Sequence, residues 1–152
     1  SWLNINYYEI SREINYRYLE PKIIVENCIF GRFDVDDIKF FCVNGFVKII
    51  QVDFDRVKNH TRKLFDRNWN NLYASTLYPL SEKLIDKPQK LTEMIKVAEQ
   101  LSKPFDLVRV DMYYDQDSLK FYVGEITHLH GSGSERFNNE DAEIRVSKIL
   151  FS

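Results

Sequence analysis

Net charge is nearly absent from this sequence, because 21 Lys and Arg residues are set against 23 Asp and Glu residues, which leaves −2 at pH 7. This balance argues against a general binder of nucleic acid or of anionic membranes. Long apolar runs are also missing, so we expect no segment that crosses a bilayer. No signal peptide is visible, and we therefore expect a cytoplasmic protein.

The sequence also contains few cysteines and does not begin with methionine. The two cysteines, Cys28 and Cys42, both fall on predicted strands. Nothing marks the chain as secreted, so we expect buried, reduced thiols rather than a disulfide, and neither thiol has the neighbours of a zinc site. The chain opens on Ser1-Trp2-Leu3. A natural N-terminus seldom begins on a bulky apolar residue, so we expect a fragment of a longer protein.

Apolar and aromatic residues are abundant. The chain has 152 residues, of which 44 % are hydrophobic and 14 % aromatic. This length is enough for one domain, residues 1–152, with a real core. The aromatic content favours a strand-rich fold.

The first half of the chain predicts mostly strands. Residues 2–19 carry aromatic side chains without clean periodicity, which predicts a short helix or an irregular segment. Asn44-Gly45 between apolar runs is the strongest short signal for a β-hairpin. The predicted strands are the buried run KIIVENCIF at residues 22–30, the hairpin strands 37–43 and 46–54, and a possible edge strand at 60–67.

The second half predicts two helices around another hairpin. Pro88 opens a helix over residues 89–102, whose apolar residues recur at helical spacing. A hairpin follows at 106–114 and 119–127. The last helix covers roughly 139–150, with Asn138 or Asn139 as its cap and Ile144, Ile149 and Leu150 facing inward. Antiparallel pairs with separate helices give an α+β architecture.

Two carboxylates on the second hairpin form the strongest candidate site. If the turn has three residues, Asp111 lies opposite Val123 and Glu125 is its diagonal neighbour on the same face, within bridging reach of an ion. Alternation places Arg109 on that face too. A divalent metal held against nucleotide phosphates needs such a pair. The alternative is a solvated hairpin face with ordinary charges, and a one-residue change of register would separate the pair.

The order of these segments resembles the ATP-grasp superfamily, and more closely its TupA-like branch, which is linked to cell-surface polysaccharide synthesis. The matching pieces are PKIIVENCIF (21–30), DIKFFCVNGFVKIIQVDFDR (37–56), DRNWNNL (66–72) and KPFDLVRVDMYYDQDSLKFYVGEITHLHGSG (103–133). The resemblance implies an antiparallel sheet with flanking helices, and ATP and Mg²⁺ as cofactors. It also implies an ATP-dependent ligase that activates a carboxylate as an acyl phosphate.

The resemblance assigns roles to individual residues. The stretch 22–30 looks like the hinge between two lobes, where Glu26 and the backbone of Asn27, Cys28 and Ile29 would face the adenine. Lys39, in Ile38-Lys39-Phe40, would contact phosphate or substrate and, with Arg109, neutralise phosphate charge. Asp111 and Glu125 match the metal-binding carboxylates. Thr127 stands where many ATP-grasp enzymes have an Asn ligand, although the TupA-like branch shares the Thr.

One expected part is absent from the sequence. The superfamily has a glycine-rich phosphate loop and a Lys upstream of the hinge, but the roughly twenty residues before the hinge contain no glycine. We therefore expect a partial fold, with this lobe and a substrate-binding domain located upstream in the parent protein or missing. The substrate would be a small molecule or saccharide with a carboxylate, such as a uronic acid, joined to an amino compound.

Several of these residues also have a purely structural interpretation. Glu26 and Lys39 could simply face solvent, and Arg56 more often forms a surface ion pair with Asp53 or Asp55 than a phosphate contact. His128 and His130 are expected on the substrate side or in solvent rather than on zinc. Two other functions also compete. Asp-x-Asp triplets at 34–36, 53–55 and 115–117 could serve a metal-dependent glycosyltransferase, and the missing loop could mean a non-catalytic nucleotide-binding or assembly remnant.

Overall fold

The computed structural model describes residues 2–31, 35–56 and 58–152. Its centre is a five-stranded antiparallel sheet with the strand order β3-β2-β1-β4-β5. The strands are β1 (Asp36–Val43), β2 (Phe46–Phe54), β3 (Thr61–Asp66), β4 (Leu107–Asp115) and β5 (Lys120–Thr127). The helices are α1 (Tyr7–Ser11), α2 (Leu91–Ser102) and α3 (Glu140–Leu150). The α+β prediction is therefore confirmed.

The first hairpin forms where its turn residues predict it. Asn44 and Gly45 have φ values of 50° and 80°, and two consecutive residues with positive φ give the tight turn that matches the twist of a hairpin. β1 and β2 pair from Val43↔Phe46 outward. The predicted edge strand is also present, since β3 ends the sheet beside β2.

One face of the sheet holds the main hydrophobic core. Alternate residues of β1, including Ile38 and Phe40, point to this face and are fully buried. Helix α2 covers it with Met94, Ile95 and Ala98, as the helical periodicity predicts. The helix begins at Leu91, whose N–H donates to the carbonyl of Pro88, so Pro88 precedes the helix instead of opening it.

The opposite face is mostly polar, and α3 covers one end of it. Phe41, Ile49 and Leu64 of the sheet pack there against Ala142 and Val146 of the helix. Asn139 caps α3 by accepting a hydrogen bond from Ala142 N–H at 2.8 Å, as predicted. Ile144 is 46 % exposed, so its predicted inward position is wrong, because the buried stripe of α3 follows Ala142 and Val146 instead.

The prediction of a buried strand at residues 22–30 is wrong. The segment joins no strand of the sheet, and Ile23, Ile24 and Val25 are 64, 79 and 90 % exposed. Cys28 is exposed as well, whereas Cys42 is buried as expected and burial raises the pKa of its thiol to about 11. A run of β-branched residues indicates a strand tendency, but a strand also needs a partner edge and a surface to cover. In the described part of the chain, no helix is long and apolar enough to cross a membrane.

The core under α2 makes a first prediction. Met94→Ala removes a fully buried side chain and should lower the free energy of unfolding by about 2–5 kcal/mol. Lys96→Ala on the exposed side of the same helix should change it by no more than about 0.5 kcal/mol. Urea unfolding followed by circular dichroism measures both. Equal effects of the two substitutions would contradict the packing of Met94 in the core under α2.

Candidate functional site

The second hairpin brings Asp111 and Glu125 to the same sheet face by a route that differs from the prediction. The chain between β4 and β5 has four residues, 116–119, and pairing starts at Asp115↔Lys120. Continued without a break, this register would place Asp111 opposite Gly124 and turn Glu125 to the core side. A bulge between Asp111 and Met112 corrects this, so that Asp111 pairs directly with Glu125.

Gly124 is the residue that the bulge leaves without a partner in the pairing. A Cβ atom at this position would approach the Tyr113 ring to 2.8 Å, which is closer than real Cβ contacts allow. Glycine therefore permits the Tyr113 ring to lie against the backbone of β5. The placement of both carboxylates on one face depends on this local irregularity.

Four side chains of alternating charge form a row on this face, in the order Asp37, Lys39, Asp111 and Arg109. We call this row the central charge network. Lys39 Nζ donates to Asp37 Oδ1 at 2.9 Å and to Asp111 Oδ2 at 2.8 Å. Arg109 binds the same carboxylate through Nε to Oδ1 and Nη2 to Oδ2, both at 2.7 Å. All four residues are at most 9 % exposed. Each buried charge thus has an opposite charge in contact, as burial requires.

The network also extends beyond its four members. Arg56 donates to Asp37 Oδ2 at 2.5 Å, so the predicted pairing of Arg56 with Asp53 or Asp55 is wrong. Those two carboxylates bind Arg62 and Lys83 instead. At the other end, burial alone would lower the pKa of Arg109, but the hydrogen bonds and charge of Asp111 raise that pKa above its ordinary value. Arg109 is therefore a permanent cation.

Arg109 contacts all three predicted metal residues, Asp111, Glu125 and Thr127. Arg109 Nη2 is 3.5 Å from Glu125 Oε1 and donates to Thr127 Oγ1 at 3.4 Å. The Thr127 hydroxyl in turn donates to Glu125 Oε1 at 3.3 Å. The Glu125 side chain is 63 % exposed, which leaves it accessible to a ligand. Among the described residues, no group of three or more His, Cys, Asp and Glu side chains is placed to hold a metal ion.

A second cluster on the same face was not identified from the sequence. This Arg62 cluster consists of Arg62, Asp53, Thr76 and Glu135. Arg62 Nε donates to Asp53 Oδ1 at 2.6 Å, and its Nη1 donates to Glu135 Oε2 and Thr76 Oγ1 at 2.8 and 2.9 Å. Burial would raise the pKa of Asp53, but the hydrogen bonds and charge of Arg62 outweigh it and hold that pKa below its ordinary value.

The only sequence signal for this cluster is alternation. Asp53 lies two residues after Gln51 on β2, and Arg62 lies directly opposite Asp53 on β3, so polar residues recur at period two on the same face. Glu135 and Thr76 come from distant loops. Their contact with Arg62 is not encoded in any local pattern.

The residues predicted to face adenine lie together in a cleft of about 290 Å³. Glu26, Asn27, Cys28 and Ile29 form one wall, and Arg56 and Tyr113 contribute to the other. Arg56 is the residue that binds Asp37, so the cleft adjoins the central charge network. Lys39 is not among the described residues that line the cleft, and it is connected to the cleft through Asp37 and Arg56.

Two of the three histidines, His128 and His130, follow β5 and have separate environments. The His128 ring meets Phe105 edge to face at 4.9 Å, and the His130 ring meets Phe41 in the same way at 4.7 Å. Burial lowers the pKa of His130 most, and the positive charge of Arg109 lowers it further. His130 is therefore neutral at pH 7 and lies beside the polar sheet face.

The Asp-x-Asp triplets do not form metal pairs in the described residues. Asp53 and Asp55 bind different cations, as noted above, and Asp115 accepts hydrogen bonds from Asp117 N–H and Ser118 Oγ in the β4–β5 turn. Asp34 of the first triplet lies outside the described residues. These contacts give no support to the glycosyltransferase alternative.

The five-stranded antiparallel sheet with its flanking helices is consistent with part of an ATP-grasp-like domain. The family model of the TupA-like ATPgrasp proteins matches residues 1–148, nearly the whole chain, and the chain belongs to this family. No curated protein and no solved structure gives a significant match. The resemblance seen in the sequence is thus confirmed at the level of the family.

The Arg62 cluster makes a second prediction. Asp53→Asn removes one of the two carboxylates that hold Arg62 and should lower the free energy of unfolding at pH 7 by about 3 kcal/mol, near the low end for a broken buried pair because Glu135 remains. The difference should persist above about pH 4, the pKa of an unfolded Asp. It should shrink as the pH falls through the lowered pKa of folded Asp53, because the natural carboxylate is then protonated too.

Urea unfolding of both proteins at pH 7 and pH 3 measures this difference. The exposed Asp86 provides a matched control, and Asp86→Asn should change the free energy of unfolding by no more than about 0.5 kcal/mol at either pH. A constant difference between Asp53→Asn and the natural protein across this range would show that the Asp53 charge contributes nothing to stability.

Proposed function

We propose that this chain carries the metal and phosphate part of an ATP-dependent ligase that joins a carboxylate to an amine in cell-surface polysaccharide biosynthesis. The observation that carries the proposal is the direct pairing of Asp111 with Glu125 on one sheet face, with Arg109 in contact with both. In this proposal the ligase acts in the cytoplasm and an upstream domain of the same parent protein completes the site.

The donor set suits magnesium. Asp111, Glu125 and Thr127 offer two carboxylates and a hydroxyl, and Mg²⁺ prefers oxygen ligands and usually binds one or two carboxylates together with substrate phosphates and water. A bound Mg²⁺ would neutralise negative charge on the phosphates. Asp111 and Glu125 would provide two carboxylate ligands, and ATP and water would provide the remaining ones.

Lys39 and Arg109 supply fixed positive charge beside these ligands. Both are buried and both bind Asp111, so neither side chain has to be ordered when a phosphate arrives. Preorganised cations in a site with little water stabilise developing negative charge at low cost. Their role would be to hold and neutralise the phosphates while an acyl phosphate forms and is attacked by an amine.

The cleft at residues 26–29 would take the adenine. Residues 26–29 of its wall are exposed, and Arg56 and Tyr113 provide a planar cation and a ring across the cleft. The Arg56–Asp37 ion pair connects the cleft to the residues proposed to bind phosphate. Base and phosphates of one nucleotide can therefore be bound by neighbouring parts of this face.

Glu125→Gln gives the cleanest test of the metal site. Glu125 is largely exposed, so the change removes a charge and should alter the free energy of unfolding by no more than about 0.5 kcal/mol. Affinity for Mn²⁺, used as a probe for Mg²⁺ and followed by electron paramagnetic resonance, should fall by more than about 100-fold, the upper end of the loss for a residue outside the first coordination shell. In the full parent protein, ATP turnover should fall by orders of magnitude.

Two further variants provide comparisons for this test. Glu82→Gln at another exposed position should leave both Mn²⁺ affinity and stability unchanged. Asp111→Asn should lose Mn²⁺ binding and also stability, because it leaves two buried cations, Lys39 and Arg109, without their shared carboxylate. Unchanged Mn²⁺ affinity in Glu125→Gln would reject the metal site and with it the ligase proposal.

A further inference from the structure

A second cavity, of about 210 Å³, lies between the polar sheet face and helix α3. We call it the α3 pocket. Its walls are apolar and are formed mainly by Phe41, Ile49, Leu64, Phe137, Val146 and Leu150. Four polar residues, Gln51, Thr76, His130 and Glu135, also line the pocket, and we call them its polar rim. It is separate from the cleft at residues 26–29, with which it shares no residue.

The size and walls of the α3 pocket restrict what can enter it. A dry cavity of about 150 Å³ in another protein holds benzene, so 210 Å³ accommodates a phenyl or a branched alkyl group. A sugar ring would bring hydroxyl groups against carbon walls, and each hydroxyl without a partner costs free energy. The pocket therefore favours an apolar group with its polar end at the rim.

The rim is held in place by the charged groups around it. Glu135 Oε2 accepts hydrogen bonds from Arg62 and Thr76, and Gln51 Nε2 donates to Asp53. These contacts orient the rim side chains before any ligand arrives. The carboxylate of Glu135 and the amide oxygen of Gln51 are acceptors, which suits a ligand whose polar end carries N–H groups.

Strand β1 connects the α3 pocket to the candidate metal site. Asp37, Lys39 and Phe41 are successive residues on one face of this strand, so the face spans about 13 Å from Asp37 to Phe41. Asp37 binds Arg56 of the adenine cleft, Lys39 binds Asp111, and Phe41 lines the pocket. The Arg109 guanidinium, which contacts both carboxylates, lies 6.0 Å from the centre of the Phe41 ring.

We propose that the α3 pocket binds a phenyl or branched alkyl side group of the amine substrate and places its amino group at the rim, beside Arg109 and the paired carboxylates. This inference rests on the proposed ligase function. It specifies the amine as a compound with an apolar side group, such as an aromatic or branched amino acid unit, rather than an amino sugar.

The experiment uses L-phenylalaninamide as the probe and glucosamine as the matched polar amine, each titrated into the ¹⁵N-labelled chain and followed by NMR. L-Phenylalaninamide should bind with a Kd of about 1 mM, in line with the efficiency of small ligands. It should shift the amide signals of Phe41, Leu64 and Val146. Glucosamine should leave these signals unchanged at the same concentration.

Pocket-filling variants identify where the probe binds. Ser147 is a small residue of α3 that lines the pocket, so Ser147→Leu should abolish the shifts. Lys148→Leu adds the same side chain at the neighbouring exposed position and should preserve them. If Ser147→Leu does not fold, Ser147→Met fills the pocket with a more flexible side chain and serves the same purpose.

The outcomes separate this inference from the proposed function. Equal shifts with glucosamine, or shifts that survive in Ser147→Leu or Ser147→Met, would overturn the assignment of the pocket. Binding of L-phenylalaninamide together with unchanged Mn²⁺ affinity in Glu125→Gln would reject the ligase function and the substrate role, and leave an amine-binding pocket. Loss of Mn²⁺ in Glu125→Gln without any probe binding would reject the pocket and keep the metal site.

Discussion

The buried carboxylate of Asp111 and the two cations that hold it constrain most of the polar sheet face. Lys39 comes from β1 and Arg109 from β4, the strand that carries Asp111 itself. An unpaired charge at such a depth would cost several kcal/mol, so the register of β1 against β4 and the paired state of these side chains depend on each other. The same Arg109 reaches across to β5. Three neighbouring strands are thus fixed relative to one another by one carboxylate and its partners.

The two faces of the sheet differ in what they bury. The face under α2 buries apolar side chains and supplies the stabilisation expected of a hydrophobic core. The other face buries charges that contribute little net stability once desolvation is counted. Such an arrangement fits a surface on which fixed charges must be ready for a ligand. In the proposed ligase, the central charge network and the Arg62 cluster would therefore serve binding more than stability.

Local patterns in the sequence predict most of the individual strands and helices, but they do not predict the contacts between distant segments. Asn44-Gly45 and the spacing of Met94, Ile95 and Ala98 gave the hairpin and the helix, because turn chemistry and periodicity act over a few residues. The face shared by Asp111 and Glu125 was predicted from a three-residue turn, yet it arises from a four-residue turn and a bulge at Gly124. Residues 22–30 show the limit, since their apolar run could not reveal that the described chain offers them no partner strand.

The alternation of strand β1 would allow the proposed binding regions to serve one reaction. Asp37, Lys39 and Phe41 face the same side at intervals of about 7 Å, and their contacts lead to the cleft, to the paired carboxylates and to the α3 pocket in that order. Holding two reactants at neighbouring points of a rigid strand removes much of the entropic barrier to their encounter. In the proposed ligase, a nucleotide at one end and an amine at the other would therefore meet where Lys39 and Arg109 hold Asp111. The order of three side chains along one strand would thus set the order of the substrates.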